Sequence, residues 1–242
     1  MAFYQSIADY YQYIFPLNNA QVDFIKSAFD KTENLKLLDI GCGIGELSFA
    51  LSKHFKSVEA IDLDEGMMKR AKHDFESKTG NLHFKNMNML NIEDAYGKGA
   101  FDAVICFGNT LVHLNGPNEV VDFFTHSKQV LKDNGRLLFQ VINYDRIIDR
   151  EVTSLPTIEN EQIQFLRNYN YIRAKNRIEF ETQLTIRSTG KIIRNTIQLY
   201  PIRKNEIVTH LKQAGFSMIQ FYSNFNKDNY FKESIPLVVE VS

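Results

Sequence analysis

Apolar residues recur along this chain with two different periods, and the change of period divides it. Up to about residue 143, short apolar runs alternate with segments in which apolar residues return at helical spacing. The runs are Leu35, Leu37, Leu38 and Ile40, then residues 58–64, then Leu82 with Phe84, then 101–107 and 136–142. Between them, 46–55 carries Leu47, Phe49, Ala50, Leu51 and Phe55, and 65–78 carries Met67, Met68, Ala71 and Phe75 behind an N-capping Asp64. A further helix is expected over 118–131, ended by Asp133, Asn134 and Gly135. Such serial β-α units predict a parallel sheet with right-handed crossovers and helices on both faces.

Ahead of the first run, Phe3, Ile7, Tyr10, Tyr11 and Ile14 predict an amphipathic helix stopped by Pro16, and Val22, Ile25 and Phe29 a second over 19–29. Beyond Asn143 the period becomes two. Ile178, Phe180, Thr182, Leu184 and Ile186 alternate with polar residues, and with 162–172 and 191–200 they predict a three-stranded antiparallel meander, read as a lid. A helix over 204–214, Gly215 as its cap, and strands over 216–222 and 236–241 return the chain to α/β. The expected organisation is an α/β core over 35–145 and 203–242, a helical cap over 1–34 and the inserted lid over 146–202.

The chemistry concentrates where the first run meets Gly41, Gly43 and Gly45. An apolar strand containing Asp39 and opening into closely spaced glycines suits a turn that cradles a nucleotide, with the amides of the following helix turned toward it, although glycines also serve plain strand-to-helix turns. Asp62 ends the second run 19 residues after Gly43, the place where doubly wound folds hold a ribose by its hydroxyls. Asn88 and Met89 follow the third strand and suit a purine edge and face, while an Asx turn is an equally ordinary use of Asn88. Cys42 and Cys106 fit no metal-ligand spacing, and no metal site is expected.

Composition narrows the classes. A formal charge of −1 and a pI near 6.6 argue against a general nucleic-acid or membrane-surface binder. No signal peptide or long apolar span is visible, so a cytoplasmic protein is expected, monomeric or homodimeric. The lid is locally basic, with nine Lys and Arg against two acids over 162–204. Most of that charge reads as a solvated sheet face; the other reading is that one or two arginines hold a substrate carboxylate.

LLDIGCGIG, VEAIDLD, the segment Asn88-Met89-Leu90, FDAVICFGNTLVHL and the strand after Asp133 together resemble class I S-adenosylmethionine-dependent methyltransferases. The resemblance implies a Rossmann-like, doubly wound seven-stranded sheet whose last strand is antiparallel, with the lid inserted after strand five. It implies S-adenosylmethionine as cofactor, with Asp39, Gly41, Cys42 and Gly43 around its methionine part, Asp62 on the ribose and Asn88 with Met89 at adenine. Leu63, Met67, Leu90, Phe107 and Gly108 complete the implied contacts. The family commonly has Asp at the position of Asn88, and either side chain accepts from an adenine amino group.

The insert, the tyrosine-rich start and INYD at 142–145 look more like small-molecule N-methyltransferases of the glycine or amino-sugar kind. FGNT after the fourth strand lacks the Pro-Pro-aromatic motif of enzymes that methylate nucleic acid or protein amides. The expected acceptor is a small molecule, with His113 and Tyr11 as catalytic candidates and Tyr4, Asn109, Asn143 and Tyr144 as substrate contacts. An NAD-dependent dehydrogenase is the nearest enzymatic rival, disfavoured because Glu46 replaces the last glycine of GxGxxG. A non-catalytic protein that binds the same cofactor is the other.

Overall fold

The computed structural model describes residues 2–242, with side chains from Tyr4 onward; Phe3, expected on the buried face of the first helix, lies outside the described side chains. Eleven strands form two sheets among these residues. In the first, β1 (Lys36–Ile40), β2 (Ser57–Asp62), β3 (Leu82–Asn86), β4 (Phe101–Cys106) and β5 (Leu131–Ile142) run parallel. β10 (Ile219–Tyr222) and β11 (Pro236–Val241) complete it in the order β10-β11-β5-β4-β1-β2-β3. β11 alone runs against its two neighbours, β10 and β5. This is the expected Rossmann-like sheet with its last strand antiparallel.

Alternation inside the strands explains why helices cover both faces. On β1 and β4, Leu38, Ile40, Val104 and Cys106 point into one core, and Leu37, Ala103 and Ile105 into the other. The first core takes Val120, Phe123 and Phe124 of α7 (Pro117–Val130) and Ile207 and Leu211 of α9 (Lys204–Gln213). The second takes Phe24 and Ile25 of α3 (Asn19–Lys26), Leu51 of α4 (Glu46–Ser52), and Met68 and Ala71 of α5 (Glu65–Phe75). Asp64 caps α5 as expected, its Oδ1 accepting from Met67 N–H at 3.0 Å. Two short helices, α6 (Ile92–Tyr96) and α8 (Tyr144–Asp149), follow β3 and β5.

Three expectations are corrected. The start is not one helix: α1 (Ala2–Ile7) and α2 (Tyr11–Ile14) are separated by a 3-10 turn, Ala8–Tyr10. Asp133, Asn134 and Gly135 do not end a helix. They lie within β5 as a bulge, where the register against β4 slips between the pairs Phe101↔Leu131 and Ala103↔Arg136. The lid has four strands and not three, because β6 (Ile158–Glu159) adds a two-residue edge to β7 (Ile163–Ile172), β8 (Arg177–Ile186) and β9 (Ile192–Leu199). A two-residue strand carries no periodicity, so the pattern could not reveal it.

The lid meets the N-terminal segment through Ile7 and Ile14, which pack on Ile163, Phe165 and Leu184. The sheet order reverses direction between β1 and β4, and a doubly wound sheet opens its crevice there, beyond the carboxyl ends of those strands.

Candidate active site

The glycine turn leaves β1 at that crevice. Its first amides are already engaged, because Gly41 and Cys42 donate to the Ile61 carbonyl at 2.8 and 3.1 Å, and Gly43 N–H donates to Asp62 Oδ2 at 2.9 Å. These N–H groups tie the turn to β2, so the turn's own first amides are spent on the fold and not on a ligand. Glycine is required at 43 for another reason. The residue has a φ of +57, and a Cβ there would stand 3.3 Å from the ring of Tyr11, which lies over the turn.

Asp62 ends β2 with both carboxylate oxygens held, Oδ1 accepting from Asp64 N–H at 2.9 Å and Oδ2 from Gly43. An ionised carboxylate has about four lone-pair directions, so two remain for a ligand diol. Burial pushes its pKa up and the backbone donors pull it down. Beside it opens a cavity of about 360 Å³ lined by Gly43, Asp62, Leu63, Met67, Asn88, Met89 and Leu90. Leu63 is 48% exposed, an apolar lip suited to a purine face. Asn88 is placed at this cavity, but its Oδ1 accepts from Leu90 N–H at 3.0 Å, so the Asx turn is its observed use. A nucleoside with a free diol fits these residues: acid at one end, apolar walls at the other, and no Cβ at the turn.

A second cavity of about 400 Å³ lies between core, N-terminal segment and lid. Asp39, Cys42, Phe107, Gly108 and Asn109 line its core side, and Leu155, Phe165, Arg167, Tyr169, Phe180 and Leu199 its lid side. Asp39 is 2% exposed, and its Oδ2 accepts from Ser48 Oγ at 2.6 Å. Burial outweighs that bond and pushes the carboxyl up to about 7. The two cavities share Tyr4, Tyr11, Gly41, Gly108 and His113. At this junction Tyr4 Oη and His113 Nε2 share a hydrogen bond of 2.8 Å, with the rings edge to face at 5.5 Å. Burial lowers the His113 pKa to about 4, so the imidazole is neutral near pH 7.

Not every expected contact reaches a cavity. Asn143 is fully buried and caps α8, and its Nδ2 donates to the carbonyls of Lys232 and Ser234 at 2.8 and 3.1 Å. That replaces the expected substrate contact with a structural clasp. Tyr144 is likewise buried and outside both linings; its hydroxyl accepts from Asn109 Nδ2 at 3.0 Å, and its ring lies 6.5 Å from that of Tyr169. Asn109 does line the cavity, yet its Oδ1 accepts from Ile142 N–H at 2.9 Å and its backbone is left-handed, so it acts mainly as a strap between β4 and β5.

Gln140 and the lid residues Phe165, Arg167 and Tyr169 were missed by sequence reasoning. The last three had a signal: with Ile163 they occupy alternate positions of β7, and Ile163, Phe165 and Tyr169 are buried.

Residues 37–135 match the family described as methyltransferase domain. A protein of Geobacillus sp. (strain WCH70) named as a methyltransferase is 28% identical over 197 residues, 80% of this chain and 78% of its own length. A solved S-adenosylmethionine-dependent methyltransferase from Clostridium acetobutylicum superposes with a TM-score of 0.83 at 16% identity, covering 99% of this chain and 98% of the other. The amino pentose methyltransferase CalS10 of Micromonospora echinaspora, solved with S-adenosylmethionine bound, superposes with a TM-score of 0.67 at 19% identity, over 92% of this chain and 89% of its own.

Proposed function

This chain being an S-adenosylmethionine-dependent methyltransferase that carries its methyltransferase domain over residues 37–135, we propose that it methylates a small-molecule acceptor at nitrogen. The observation that carries the proposal is the pair of cavities meeting at Tyr4 and His113. One has the features of a nucleoside site, and the other is a chamber of about 400 Å³ roofed by the lid, of a size for a small molecule. In the same reading, residues 1–34 are the cap, 35–145 with 203–242 the core, and 146–202 the acceptor lid. The amino pentose specificity of CalS10, which shares this architecture, is in keeping with a nitrogen acceptor.

S-adenosylmethionine supplies an electrophilic methyl group with a neutral leaving group. This chain's residues have to hold it, align the nucleophile and exclude water, and orientation of that kind supplies up to about 7–11 kcal/mol. Asp62 holds the ribose, with Leu63, Met67, Asn88, Met89 and Leu90 around the base. Asp39, Gly41 and Cys42 face the amino-acid end. An imidazole whose conjugate acid ionises at about 4 is a weak base, which suits an amine arriving with its own lone pair better than a hydroxyl that must lose a proton. His113, fixed by Tyr4, then positions the amine and leaves no competing cation beside it.

The test is acceptor screening by mass spectrometry on protein that S-adenosylhomocysteine stabilises. At about a hundred times its dissociation constant the ligand adds roughly 2.7 kcal/mol, worth about 5–11 °C in the unfolding midpoint. Methyl transfer to small amines is the expected result; turnover confined to hydroxyl or carbon acceptors would overturn the nitrogen assignment.

A further inference from the structure

Arg167 is out of place by the ordinary rules of a sheet. It sits on β7 between Phe165 and Tyr169 in the alternation that faces the acceptor chamber, on the side where β strands put their apolar residues. Its side chain donates from Nη2 to the Pro156 carbonyl at 2.6 Å, and its Nε is buried without a partner. A guanidinium has five N–H donors, so most are unused.

No acidic side chain of the described residues forms an ion pair with it, and burial lowers its pKa, with Tyr169 as the compensating neighbour. The acids that line the same chamber, Asp39 and Glu46, belong to the glycine-turn end, where Ser48 holds the first and Arg70 lies near the second. Of the other arginines of the second sheet and its exit, Arg187 pairs with Glu159 and Arg203 with Asp145 and Asp149. Arg177 donates to the Asn115 and Asn176 carbonyls and lies over the Tyr200 ring, and Arg173 and Arg194 are exposed to solvent; none of these lines the chamber. Even a half-buried charge without a counter-charge costs stability, and its retention in a ligand chamber, with Nε buried and unpartnered, points to a counter-charge that arrives with the ligand.

We propose that the methyl acceptor carries a carboxylate and that Arg167 binds it, which makes the substrate an amine bearing an acid group. The inference rests on the small-molecule reading above and narrows it. Arg167 is the sole cationic side chain among the described residues lining the chamber, so it balances one negative charge. A phosphate dianion would remain half compensated, whereas a carboxylate matches the guanidinium in charge and planar geometry. With the acid at Arg167, the amine has the Tyr4–His113 junction to occupy.

The experiment reads binding and not turnover, so it is independent of which atom is methylated. Matched acid and amide pairs (benzoate and benzamide, phenylacetate and phenylacetamide, hexanoate and hexanamide), with phenyl phosphate alongside, are titrated by calorimetry into the complex with S-adenosylhomocysteine. The expected result is at least a tenfold preference for acid over amide in one or more pairs, lost in Arg167→Gln and partly restored in Arg167→Lys. Arg167→Gln is expected to leave S-adenosylhomocysteine affinity unchanged. Arg167→Met, which removes the unpaired charge and keeps the bulk, is expected to hold or raise the unfolding midpoint of the ligand-free protein. No binding by any acid, equal binding of acids and amides, an acid preference that survives Arg167→Gln, or tighter binding of phenyl phosphate than of every acid would each overturn the proposal. A lower midpoint in Arg167→Met would do so as well, by making the arginine structural. Turnover on oxygen or carbon in the acceptor screen would overturn the nitrogen reading, and with it the amine part of this substrate, and leave the assignment of the acceptor's carboxylate to Arg167 standing.

Discussion

Asp39 is ionisable near neutral pH because its carboxyl is buried, with one hydroxyl bond in place of water. The sign of the consequence follows from the direction of the shift. With a folded value of about 7 above an ordinary 3.8, the folded state takes up the proton first, so this group's contribution makes the ligand-free protein more stable as pH falls from about 7 to 4. The shift is worth on the order of 4 kcal/mol. On the proposed placing of Asp39 at the cofactor's cationic amino group, binding needs the ionised form, so affinity is expected to weaken below about pH 7, and calorimetry across pH should show that dependence flattened in Asp39→Asn. Asp62→Ala removes a carboxylate that orders the turn and that we propose holds the ribose, and is expected to cost S-adenosylhomocysteine affinity about 10- to 100-fold. His113→Ala should cost less. Asp39 and Asp62 were legible in the sequence because strand ends and spacing fix them. Asn143 and Tyr144 were misread because position along the chain does not reveal that a polar side chain turns inward to clasp a distant segment, here residues 232–234. Arg167 was hidden differently: it shares the alternation of Ile163, Phe165 and Tyr169 along β7, but a cation on that alternation gives no apolar signal, and the packed lid is what shows it facing the chamber.

At the scale of elements, Asn143 joins the end of β5 to the loop before β11. Asn143→Ala forfeits the α8 cap and leaves two carbonyls short of a donor, at about 2–3 kcal/mol. The unfolding midpoint is expected to drop by about 5–10 °C, with methyl transfer per folded molecule retained, a separation that a substrate contact would not show. The parallel strands were readable from sequence because strands buried on both faces are continuous apolar runs. The β5 bulge was not, since Asp133, Asn134 and Gly135 carry the same signature as a helix stop and only pairing with β4 distinguishes them. The antiparallel β11 came from family resemblance, because strand direction leaves no mark on periodicity.

Across the whole molecule, the N-terminal segment joins parts that the chain separates by more than a hundred residues. Ile7 and Ile14 hold it to the lid, while Tyr11 covers Gly43 and Tyr4 reaches His113. Both chambers therefore share one wall, and that has a kinetic meaning. A molecule resting against Tyr4 and Tyr11 from the lid side locks in whatever lies behind them, so the two substrates cannot enter and leave independently. Steady-state rates are expected to follow a compulsory order, methyl donor on first and S-adenosylhomocysteine off last. Product inhibition should then be competitive against the donor and noncompetitive against the acceptor. High acceptor concentrations should slow turnover by trapping the spent nucleoside before it escapes.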